Sequence, residues 1–125
     1  MNISQRYTET EVSGLGQIEL ESRALIKTAS SLNQIKEHWE QMQGNLVEAL
    51  EKNRRLWTII ASAMSDDSSP QPEDMRKNLL SLAMFVFKRT MDIMVDPKPE
   101  SLDILININM NIARGLSGQQ SPEEK

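Results

Sequence analysis

Long stretches of this chain repeat apolar residues at three-, four- and seven-residue spacing, and each stretch is closed by residues that helices avoid. The first runs from Gln17 to Trp39 with Ile18, Leu25, Ala29, Leu32 and Trp39 in register, and neither Gly nor Pro interrupts it. Glu19, Glu21, Arg23 and Lys27 fall mostly on its other faces. Gly44-Asn45 then marks a stop and a restart. The second stretch, from about Leu46 to Met64, carries Leu46, Leu50, Asn53, Trp57, Ile60 and Met64, flanked by Val47, Leu56 and Ile59. Residues 65–72, SDDSSPQP, offer a turn-forming side chain at nearly every position. Pro72 suits the first turn of a third helix, and Glu73 and Asp74 place negative charge at its positive end.

That third helix, to about Val95, is apolar on more than one side. One stripe holds Met75, Leu79, Leu82, Val86 and Ile93; the other holds Leu80, Met84, Phe87, Met91 and Met94. Such a helix either lies at the centre of a bundle or offers its second face to a partner. Asp96-Pro97-Lys98-Pro99 ends it. The last stretch, Glu100 to Leu116, sends two signals. Ile106-Asn107-Ile108-Asn109-Met110-Asn111-Ile112 alternates as a half-buried strand would, while Leu102, Leu105, Asn109, Ile112 and Leu116 keep helical spacing. No second strand is available to pair with it, so the helix is the expected outcome. Gly115 or Gly118 is the expected C-cap.

The expected fold class is therefore all-α: about four helices in an antiparallel bundle, one domain over residues 14–118, with a flexible arm at 1–13 and a flexible tail at 119–125. A chain of 125 residues is long enough for a real core.

Composition removes several classes of function. Net charge is −4, which disfavours a surface built to neutralise phosphates, and nucleic acid is not the expected direct partner. No cysteine is present, which removes disulfide and thiolate chemistry. The most apolar run, Leu79 to Phe87, is too short to span a bilayer, so no membrane insertion is expected. The start of the chain does not read as a secretory signal.

Chemistry is equally scarce. The one histidine, His38, lies between charged residues and is expected to be solvated. Asp66-Asp67-Ser68-Ser69 lacks the ligand order, central glycine and closing glutamate of a calcium loop. Gly14-Leu15-Gly16 is not a dinucleotide fingerprint. The pairs Arg54-Arg55, Arg76-Lys77 and Lys88-Arg89 read as solvated rims of helices. No catalytic, cofactor or metal residue is expected, and the chain is not expected to be an enzyme. What remains is a methionine-rich apolar set, with eight Met in all, suited to a core or to moulding around a partner helix. The candidate partner-binding residues are Met84, Phe87 and Met91, with Trp57 beside them; the alternative is that all four are core.

Three blocks are more particular. They are Asn53-Arg54-Arg55-Leu56-Trp57-Thr58-Ile59; the run from Pro72 through Asn78-Leu79-Leu80-Ser81-Leu82 to Phe85-Val86-Phe87; and Leu105-Ile106-Asn107-Ile108-Asn109 followed by Ile112-Ala113-Arg114-Gly115-Leu116. In this order and spacing they resemble the FlaF family of flagellar biosynthesis regulators, and Ser22-Arg23-Ala24-Leu25-Ile26-Lys27 resembles its first helix. The resemblance covers roughly residues 5–118. It implies a cytoplasmic protein needed for flagellin production and export, with flagellin as its partner, similar to a flagellin-binding secretion chaperone. The alternative it implies is a post-transcriptional regulator of flagellin messenger RNA acting with a second small protein, FlbT.

Overall fold

The computed structural model describes residues 17–120 of the chain, and their side chains over 21–116. The expected N-terminal arm, the expected tail from residue 121 onward and the side chain of Ile18 lie outside these described residues. Within them the regular structure is all helical: α1 (Gln17–Glu37), a single turn α2 (Trp39–Met42), a 3-10 turn (Gln43–Asn45), α3 (Leu46–Ser65), α4 (Glu73–Val95), a second 3-10 turn (Pro99–Leu102) and α5 (Asp103–Gln120). The four long helices are those the spacing predicts, and no strand occurs among the described residues.

The boundaries differ in instructive ways. α1 stops at Glu37 instead of Trp39, because His38 leaves helical geometry at φ −119° and ψ 48°. Its carbonyl then starts a separate turn, accepting from the backbone N–H of Gln41 (3.1 Å) and Met42 (2.9 Å). The reversal thus begins six positions before Gly44, and half-buried Trp39 and Met42 pack against the core as the chain turns. Pro72 sits one residue ahead of α4 as its N-cap, extended at ψ 150°, and its carbonyl accepts from Arg76 N–H at 2.9 Å. Gly115 and Gly118 do not cap α5; both lie inside it, and the helix continues to Gln120.

The conflicted segment is helix. As a strand it would have put Asn107, Asn109 and Asn111 on one face. As a helix it buries Leu102, Leu105, Asn109, Ala113 and Leu116 and leaves Asn107 and Asn111 in solvent. Ala113 takes the buried place that spacing assigned to Ile112, which is half-buried. In α1, Leu25, Ala29 and Leu32 are buried as their register requires, joined by Ile35. Glu21, which the pattern put on a polar face, is buried too. All six members of the α3 stripe are buried.

α1, not α4, is the central element. It packs most extensively on α5, then on α3, while α4 packs closely on α3. Direction is fixed by side-chain bonds. Lys36 Nζ meets Asp103 Oδ1 at 2.7 Å at one end of the α1–α5 pair. Ser22 Oγ donates to the Ala113 carbonyl at 3.2 Å at the other, so the two helices run antiparallel. Arg76 Nη1 donates to the Met64 carbonyl at 3.4 Å, which holds the start of α4 at the end of α3, and the close packing of the two helices makes them antiparallel. The hydrogen bond from Lys36 to Asp103 also raises the lysine's pKa above its ordinary 10.5.

Candidate partner-binding surface

α4 meets α3 through Leu79, Ala83, Val86, Thr90 and Ile93, all buried. This stripe advances by four, three, four and three residues, the period of one helix face. Thr90 is tolerated there because its hydroxyl donates to the Val86 carbonyl at 2.7 Å. The second stripe lies about a quarter-turn away at 3.6 residues per turn, and it divides. Leu80, Phe87 and Met94 are half-buried and pack against the core. Met84 and Met91, one heptad apart, stand at the crest and are each 66% exposed. Val95 continues the apolar exposure at the helix end.

Of the four candidate residues, three share this face. Met84 and Met91 are open, and Phe87 is the half-buried ledge between them. Trp57 is not part of it. It is 0% exposed, and its Nε1–H donates to Asn109 Oδ1 at 2.9 Å inside the core. The indole is held for packing and a buried hydrogen bond, not for a partner.

Asn109 joins three helices. Its Nδ2 donates to Asn53 Oδ1 on α3 and to Thr28 Oγ1 on α1, each at 2.7 Å. Thr28 Oγ1–H in turn donates to the Leu25 carbonyl at 3.1 Å. Asn53 and Asn109 are both 0% exposed. Spacing placed each of them on an apolar stripe, but only the fold brings them together. Asn53 Nδ2 finds no acceptor among the described residues.

The flanking charges are in water, as the paired-cation pattern suggests. Lys77 pairs with Glu73 (3.2 Å) and Lys88 with Asp92 (3.8 Å), both across one helical turn. Arg54 pairs with Glu51 at 2.7 Å. Arg89 stacks over the Phe85 ring at 5.2 Å from its centroid. Arg89 and Arg76 are the exceptions, both half-buried, Arg76 against the α3 end.

His38 is exposed. The acidic loop is occupied with itself: Asp66 Oδ1 accepts from Ser68 N–H (2.9 Å) and Ser68 Oγ–H (2.8 Å). These two bonds, the backbone one first, hold the Asp66 carboxyl below the usual carboxylate range. No group of three or more His, Cys, Asp or Glu side chains that could hold a metal ion occurs among the described residues. Nor is any helix among them long and apolar enough to cross a membrane.

The sequence pattern missed a concavity, a groove of about 580 Å³ between α1 and α3. Its only local trace is a run of small side chains, Ala24, Thr28 and Ser31 on α1 opposite Ala49 on α3.

The chain matches no curated protein and no solved structure. A family model described as flagellar protein FlaF matches residues 3–116, which takes in α1, α3, α4 and most of α5. With nearly its whole length matched, the chain belongs to the FlaF family of flagellar proteins.

Proposed function

We propose that this protein is a cytoplasmic, non-enzymatic export chaperone that binds flagellin through the outer face of α4. The observation that carries the reading is the exposure of Met84 and Met91, 66% each, on a helix whose other stripe already supplies its share of the core. Two methionines one heptad apart are the spacing at which an amphipathic partner helix makes successive contacts. Unbranched thioethers adapt to a partner at little steric cost. Membership of a flagellar family points to a flagellar client. An apolar helical segment of flagellin is the client this face suits, because such a segment needs cover before export.

The test is binding of purified flagellin to the full chain and to a Met84→Asp/Met91→Asp variant, at low and high salt, by calorimetry. The expected result is a one-to-one complex that persists at high salt and is lost in the variant, with the variant's circular dichroism unchanged. No binding to flagellin, or binding indifferent to both substitutions, would defeat the reading. Steeply salt-dependent binding to flagellin messenger RNA in its place would favour the regulatory alternative with FlbT.

A further inference from the structure

The α1–α3 groove lies away from the α4 face and has a different chemistry. Its floor is apolar, built by Ile35 from α1 and by Ala49, Leu56 and Ile59 from α3. Ile35 and Ala49 are buried at its base, Leu56 is half-buried, and Ile59, 53% exposed, is its open apolar edge. Its rim is cationic on both sides: Lys27 on α1, Lys52 and Arg55 on α3, against a single carboxylate, Glu48. Lys52 lies 3.6 Å from Glu48 and is compensated by it. Lys27 and Arg55 have no acidic partner among the described residues. A chain of net charge −4 thus concentrates uncompensated positive charge along one apolar trough.

We infer that this groove binds an acidic amphipathic helix of a partner protein, apolar side down and carboxylates toward Lys27 and Arg55. The walls decide for a helix. Both are helices whose backbone N–H and C=O groups are already bonded, so an extended segment would find no ladder to join. A helix brings its own backbone bonds and can lie on an apolar floor. The span from Ala24 to Ile35 along α1 measures about 16 Å, three turns of such a partner. RNA fits less well. Three cations are few for a phosphate backbone, and no aromatic side chain lines the trough to stack a base. The inference does not depend on what α4 binds.

The test is amide-shift mapping of the full chain with a stapled helical peptide of about 12 residues, three turns long, with Leu and Ala on one face and Glu on both flanks. A peptide with Lys in place of Glu and a single-stranded RNA oligomer serve as comparisons. The expected result is saturable binding of the Glu peptide, with shifts at Thr28, Ser31, Ala49 and Leu56. Affinity should fall about tenfold or more in a Lys27→Glu/Arg55→Glu variant and stay unchanged in Met84→Asp/Met91→Asp. Equal binding of the Lys peptide, preference for RNA, shifts on α4, self-association through the groove, or no shift at millimolar peptide would overturn it. Loss of flagellin binding with the groove intact touches only the α4 reading, so the two fail separately.

Discussion

The interior seam around Asn109 and the outer face of α4 reverse what hydropathy alone would assign. In the seam, two amides and an indole N–H are sealed at 0% exposure. On α4, two methionines stand 66% exposed. The seam keeps polar groups inside because they bond one another across three helices, and a bonded amide costs far less to bury than a free one. A buried amide also disfavours sliding of one helix along another, since any shift by a turn leaves donors and acceptors apart. The face keeps apolar groups outside because α4 packs closely on only one neighbour. One contact stripe is all that such a helix can bury, and the second is left for something else.

The sharpest way to break this comparison is to place a charge on each side of α4. Ile93→Asp puts an unpaired carboxylate at a position 2% exposed. It should cost about 4 kcal/mol or unfold the chain. Met91→Asp, two residues earlier and 66% exposed, should change stability by less than about 0.5 kcal/mol. Urea midpoints of the two variants read the difference; similar losses would mean that the crest is not open.

Asn109→Ala tests the seam. It strands the Trp57 Nε1–H and removes the donor that Asn53 Oδ1 and Thr28 Oγ1 share. The expected loss is about 3 kcal/mol, from unpaired buried groups plus a small cavity. Asn109→Leu should recover part of that stability while losing the sharp, dispersed amide spectrum of a single packing. A Leu variant with both the stability and the spectrum of the parent would show that the amide sets no register.

The smallest effect concerns neither region. Gly115 lies within α5, and a Cβ there would meet nothing within 4 Å. Gly115→Ala should therefore raise stability by about 0.5–1 kcal/mol through helix propensity alone. A decrease in the thermal midpoint would show that the end of α5 needs the glycine after all.

Much of the architecture was legible because it rests on local rules. The α3 stripe was readable residue by residue, since Leu46, Leu50, Asn53, Trp57, Ile60 and Met64 share one face whatever packs on it. The breakers at 65–72 and 96–99 were equally plain. The candidate surface was half legible. Periodicity separated the two stripes of α4 but could not say which would be covered, since that depends on how many neighbours the helix has. Trp57 was misplaced for a related reason: its hydrogen-bond partner lies 52 residues away on α5. The α1–α3 groove left almost no trace, because a trough is a property of two helices and small side chains on one of them announce only that something is near.

The sequence by itself determined four long helices, their approximate ends and the faces on which their apolar residues lie, because helical period and chain-breaking residues act within a few positions of one another. The tertiary structure alone decided that α1 is central and α4 peripheral, that Asn109 is sealed while Met84 and Met91 are not, and that cations from two helices flank one trough. Those outcomes follow from which faces meet, and that choice is made by burial and hydrogen bonding between residues far apart in the chain.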